Sequence, residues 1–149
     1  MYYIENIGQL NTLMTAVFAS KQLSDAGYTN LPDEDKMSFV GQAEDFIDDF
    51  NSIRYRGDSV EDYQVHAFPR KLGGRIIEKT DTRVQKALAY IIFDKVKFEE
   101  NSRKKQIEQG VKSMNLDGQS ESYVGLNELV EVSDNYERYL GFCMIQGCL

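Results

Sequence analysis

Few residues in this chain are able to do chemistry, and they are scattered. Its 149 residues include one histidine, His66, and two cysteines, Cys143 and Cys148, both within the last seven positions. Nucleophilic catalysis needs a hydroxyl or thiol with a base in reach. His66 stands in Gln64-Val-His-Ala-Phe-Pro-Arg70, and the chain has no Gly-x-Ser-x-Gly elbow; a structural role is the expectation. The Cys-x-x-x-x-Cys pair could close a loop or bind metal, but a four-ligand zinc site needs more partners than one histidine supplies, so two free thiols are expected. Glu44, Asp45, Asp48 and Asp49 place like charges at i,i+4. Such carboxylates serve as metal ligands or as an acid/base pair. With no histidine or glycine-rich cation loop beside them, a solvated acidic face is expected. Gly73-Gly74 is too short to cradle a phosphate and lacks the following Lys-Ser/Thr. No enzyme activity, cofactor or metal is expected.

Positioning falls to helices. Ile7, Leu10, Leu13, Met14, Val17 and Phe18 recur at spacings of three and four, which predicts a helix over about residues 6–26, capped by Asn6 and followed by Gly27. A second helix is predicted over 33–53, with Phe39, Ala43, Phe46, Ile47, Phe50 and Ile53 as its apolar stripe. Asp33, Glu34 and Asp35 suit its first turn. Residues 54–72 are expected to be irregular with short extended pieces: Gly57-Asp-Ser is turn chemistry, Pro69 holds Phe68 extended, and Phe68 plugs the edge of the core. The connection continues through Gly73-Gly74. A third helix opens near Thr80, with Thr82 and Gln85 as a capping box and Val84, Ala87, Leu88, Ile91 and Ile92 as its inner face, and it fades after Phe98. Asp117-Gly118 is the strongest hairpin signal. A β-hairpin or extended loop is therefore expected near 110–123. Its mostly polar flanks make it marginal alone, so Val111, Met114, Leu116, Asp117, Gly118 and Tyr123 are expected to meet another chain. A last helix is predicted over 126–140, using Leu126, Leu129, Val130, Ser133, Tyr136 and Leu140 and ending at Gly141. The fold class expected is all-α: about four helices in a small bundle over residues 1–140, including a hairpin or loop at 102–124, then an extended tail at 141–149.

With 42% apolar residues the length suits one domain with a real core. The opening Met-Tyr-Tyr-Ile-Glu-Asn has no basic n-region, and no apolar run approaches a membrane span; a soluble protein of a cytoplasm is expected, with no membrane partner. The net charge of −7 argues against a grip on DNA through phosphate neutralisation. The clusters Arg70/Lys71/Arg75 and Arg103/Lys104/Lys105 are expected to be solvated charge.

Tyr55-Arg56-Gly57, then Gln64, then Phe68-Pro69-Arg70, then a helix, then Gly110-Val-Lys-Ser and Gly118-Gln-Ser-Glu-Ser-Tyr123, occur in one order. That order resembles the small head–tail connector (adaptor, or head-completion) proteins of tailed bacteriophages, some of which are labelled DnaT-like single-stranded-DNA-binding. The resemblance covers most of the chain, and Tyr28 lies nearest the place where many relatives carry a tryptophan. It implies a structural virion protein without enzyme activity, a small helical bundle whose copies form a dodecameric ring on the portal protein. Such a ring extends the channel for passing double-stranded DNA and presents a surface to a stopper or tail-completion protein. It implies assembly in the host cytoplasm and residence in the virion neck. C-terminal segments of the family commonly reach the portal, so Tyr136, Tyr139, Leu140, Phe142, Met144 and Ile145 are expected to bind the portal or a neighbouring subunit. Tyr55, Gly57, Gln64, Phe68, Pro69 and Arg70 are expected to be structural. The competing expectation is single-stranded-DNA binding, which needs basic grooves with exposed aromatics; most of the nine Tyr and eight Phe fall on helical core stripes instead.

Overall fold

A computed structural model describes residues 2–49, 55–112 and 131–145. They form a mainly helical fold, as the periodicities predict, with a small three-stranded antiparallel sheet, which they do not. The first predicted helix is two: α1, Ile7–Val17, and α2, Ser20–Asp25. Asn6 caps α1 as expected, its side chain accepting from the Gln9 amide at 2.8 Å. The break comes at Phe18, whose backbone is extended and whose ring stacks on Phe93 at 4.3 Å and meets Tyr90 edge-on. Gly27, at φ +91°, ends α2 in the left-handed conformation. Tyr28 then turns inward, and its hydroxyl donates to Asn11 Oδ1 at 2.8 Å.

Helix α3, Asp33–Asp48, follows Pro32 and carries its three acidic residues in the first turn. It stops short of the predicted end. Phe50 and Ile53 lie outside the described residues. Its inner face is Val40, Ala43 and Ile47, with Phe39 and Phe46 half-buried at the margin. These pack on α4, Thr82–Lys112, which buries Val84, Ala87, Leu88, Ala89, Ile91, Ile92 and Val96. The alanines among them let neighbouring elements approach the helix closely. Ile92→Val removes one methylene from this fully buried row and should cost about 0.5–1.5 kcal/mol in a denaturant titration.

Three expectations are corrected around α4. The cap is Asp81, not Thr82: Asp81 Oδ1 accepts from the Arg83 amide at 2.8 Å, while the Gln85 side chain donates to the Lys79 and Tyr3 carbonyls. The helix does not fade after Phe98. It continues through Glu100 and Lys104, an i,i+4 pair at 3.9 Å, to Lys112, so Val111 is helical rather than part of a hairpin. Met114, Leu116, Asp117, Gly118 and Tyr123 lie outside the described residues. Among the described residues a two-residue hairpin turns at Gly73 and Gly74, φ +57° and +81°. Positive φ at both central residues is what a type I′ hairpin turn requires. It joins β2, Arg70–Leu72, to β3, Arg75–Ile77, and β1, Asp58–Ser59, pairs with the other edge of β2.

The last predicted helix is also shorter. Leu126, Leu129 and Val130 lie outside the described residues. Residues 131–133 are not helical; Ser133 donates from its amide and hydroxyl to Asp94. A 3-10 turn, Asp134–Tyr136, leads into α5, Glu137–Leu140, and a second 3-10 turn, Gly141–Cys143. The chain therefore does not leave the core at Gly141 as an extended tail. Leu140 and Cys143 are fully buried, and Cys143 is a free thiol.

Candidate functional site

The motif residues at 55–57 and 64–70 meet in one junction around buried Tyr55, Ala67, Phe68 and Arg70. Arg70, 5% exposed, stands on the inward side of β2 opposite Ile77. Its guanidinium donates to the Arg56 carbonyl at 3.0 Å, the Gly57 carbonyl at 2.9 Å and the Ala67 carbonyl at 3.4 Å, and it lies over the Tyr55 ring. A planar fork of donors suits three carbonyls converging from different directions; a lysine ammonium does not reach them all. Gly57 has φ +78°, and a Cβ there would run into the Lys71 carbonyl oxygen. Glycine is thus required twice over, by conformation and by space. Gln64 donates to the His66 and Pro69 carbonyls, each at 2.7 Å, closing the loop between β1 and β2. The Phe68–Pro69 peptide is cis. Phe68 is fully buried, edge-on to Tyr55 at 5.4 Å, and the Tyr55 hydroxyl donates to the Ile47 carbonyl at 2.7 Å, fastening the junction to α3.

Two carboxylates expected on a solvated face are part of the same construction. Glu44, 5% exposed, accepts the backbone amides of Tyr2, Tyr3 and Ile4 at 3.0–3.2 Å. Asp48 accepts from the Tyr3 hydroxyl at 2.7 Å, the Ala67 amide at 2.8 Å and His66 Nδ1 at 2.6 Å. The Tyr2 ring lies flat on His66 at 3.8 Å, and Lys79 sits over the Tyr2 ring at 4.4 Å. Asp48 and His66 thus have the spacing of a base and its orienting carboxylate. Yet the carboxylate is shared among structural donors, and tyrosine covers the imidazole. Among the described residues, no group of three or more His, Cys, Asp or Glu is placed to hold a metal ion. What the arrangement does is pin residues 2–4 and the 64–70 loop to α3.

The C-terminal segment closes the junction from the other side. The Arg56 amide donates to the Cys143 carbonyl at 2.7 Å, and Met144 forms an isolated antiparallel bridge with Tyr55. Of the residues expected to bind the portal or a neighbour, Tyr136 and Leu140 are buried. Tyr139, Phe142 and Met144 are half-buried against the same core. Tyr139 stacks with Tyr90 at 5.3 Å, and Arg83 lies over Phe142 at 3.6 Å. Ile145 alone of the six is largely exposed. Cys148 lies outside the described residues.

Burial raises the tyrosine hydroxyls of this region above their ordinary 10.0: Tyr3 and Tyr55 strongly, and Tyr28, in the α2–α3 loop, to about 12. Burial likewise pushes the Cys143 thiol from 9.0 to about 11. Each group binds its proton more tightly folded than unfolded, so its contribution is complete below the unfolded value and declines as pH rises toward the folded one. The contribution of these groups should be flat up to about pH 9, so stability should fall steeply above pH 10. A denaturation midpoint unchanged between pH 8 and 11 would contradict the burial of these groups.

Comparison of the chain with protein-family models, with curated proteins and with solved structures finds no match.

Proposed function

We propose that this chain is a structural virion protein, the head–tail connector of a tailed bacteriophage. Its copies form a ring, dodecameric by analogy with the family it resembles, on the portal protein. The ring extends the DNA channel and receives a stopper or tail-completion protein on its far side, in the neck of the virion. In this proposal the helices of each copy form the family's small bundle. The observation that carries the proposal is the junction of Tyr55, Gly57, Gln64, Phe68, Pro69 and Arg70. These residues carry the resemblance in sequence order, and each has a separate structural task in one unit around buried Tyr55, Phe68 and Arg70. The charge of −7 also suits a channel wall along which DNA slides without adhering. Single-stranded-DNA binding has less support. Tyr90, Tyr139, Phe18 and Phe93 are engaged in ring contacts with one another, and Arg83 and Lys86 lie over the Phe142 and Tyr139 rings, so these rings are not free platforms for bases.

Loss of the gene tests the proposal. The expected result is DNA-filled heads without tails, with tailed infectious particles restored when the wild-type chain is supplied in trans. Normal tailed particles from the deletion would sink it, and sub-micromolar binding of single-stranded oligonucleotides at physiological salt would favour the other function.

A further inference from the structure

Two exposed surfaces of this molecule complement each other yet lie too far apart to meet within one chain. The first is the loop between β1 and β2. Its Gln64 side chain is held inward by the His66 and Pro69 carbonyls, and the flanking Tyr63 and Val65 are 96% and 78% exposed. Glu61 and Asp62 precede them in sequence, with Asp58 on β1 paired in register with Lys71, and no Lys or Arg lies between Gly57 and Pro69. Among the described residues none of the three carboxylates makes an ion pair. The second surface is α4 beyond Val96. Ile92, Val96, Arg103 and Ile107 follow one line of the helix at spacings of four, seven and four. Ile92 and Val96 on that line are buried, but Ile107 is 63% exposed. Residues 103–105 are the longest basic run in the chain. Arg103 makes no ion pair among the described residues, and Lys104 reaches only Glu100, at 3.9 Å.

The loop sits at the N-terminal end of α4, because His66 lies against Tyr2 and Tyr3, whose carbonyls accept from Lys79 and Gln85. Arg103 is eighteen residues beyond Gln85, roughly 27 Å along the helix. The acidic loop with its exposed Tyr and Val therefore cannot reach the basic arm of its own molecule.

We propose that it docks on the arm of a second copy, Tyr63 and Val65 against Ile107, with Glu61 and Asp62 facing Arg103 and Lys104. Each pair then keeps one loop and one arm free, so copies add head to tail, and a ring results where the rotation closes. The proposal rests on the connector function only for that closure; the contact itself needs this chain alone.

Sedimentation of the full chain, repeated across salt concentrations, tests it. The wild type should associate with rising concentration, less so at high salt. Tyr63→Ser/Val65→Ser disables the loop, and Arg103→Glu/Lys104→Glu disables the arm. Both change exposed residues and should leave the circular dichroism unaltered, yet each should weaken association at least about 30-fold, the size of an interface hot spot. An equal mixture of the two retains one working loop and one working arm per pair, and should give a 1:1 dimer that grows no further. A wild type that stays monomeric, either variant assembling like the wild type, or a mixture that stays monomeric would each overturn the contact. Since no portal is present, those results leave the connector function to the particle experiment above.

Discussion

Arg70→Ala should cost about 3–5 kcal/mol of folding stability, among the largest losses available to a single substitution here. The residue is 5% exposed, and its guanidinium serves the carbonyls of Arg56, Gly57 and Ala67. Alanine removes the donors and leaves those acceptors in a space that water reaches poorly, so the loss includes their desolvation as well as the bonds themselves. The packing of guanidinium on the Tyr55 ring goes with it. Arg70→Lys keeps the charge but replaces a fork with a point, and roughly 2 kcal/mol should still be lost. Urea titrations of the two variants give the comparison. If Arg70→Ala lost under 1 kcal/mol, the three carbonyls would be solvated and the junction would not be the unit described.

Glu44→Ala should cost about 3 kcal/mol and free the start of the chain. One carboxylate accepts three successive amides, from Tyr2, Tyr3 and Ile4, and the side chains of Tyr3 and Ile4 are buried. Glu44→Gln keeps the shape but turns an amide NH2 toward one of those donors, so about 2 kcal/mol should be lost even in the isosteric variant. Hydrogen exchange reads the effect directly: the amides of Tyr3 and Ile4 should lose protection in both variants while those of α4 keep theirs. Equal protection in wild type and variant would mean that some other acceptor holds the segment.

Much of the helical framework was legible because burial is periodic. Val84, Leu88, Ile91 and Ile92 announce the inner face of α4, and Ala43 and Ile47 that of α3, by spacing alone. The Asn6 cap was legible for a similar reason, since its bond to Gln9 is local. The break between α1 and α2 was not. Phe18 keeps the helical phase, but its backbone is extended and its ring packs on Tyr90 and Phe93, far along the chain. The sheet escaped because β2 and β3 are three residues each, too short to display alternation, and because Asp-Gly outranked Gly-Gly as a turn signal. The run after Phe98 looked like a fading helix from its charge, yet Glu, Lys, Arg and Gln are good helix formers, and α4 runs through them. In the candidate site the motif residues were visible and their tasks were not. Glu44 and Asp48 looked solvated because their partners are backbone groups at 2–4 and 67, the Tyr3 hydroxyl and His66, all remote in sequence. A charge pattern carries no record of contacts that only the completed fold creates.

The bridge from Arg56 to residues 142 and 143 has a consequence for synthesis. The Arg56 side chain meets the Phe142 carbonyl across 86 residues of sequence, and its amide needs the Cys143 carbonyl. On the ribosome, α1, α3 and the first turns of α4 emerge early and hold enough apolar surface to collapse together. The edge of Tyr55 and Arg56 must wait, unpaired, until residue 143 has left the exit tunnel. The bond from Arg56 to residue 143 thus cannot form when the helices first emerge, and a nascent chain stalled within 113–140 would expose that edge to other strands. Emergence of residue 143, rather than emergence of the helices, is the step that completes this edge.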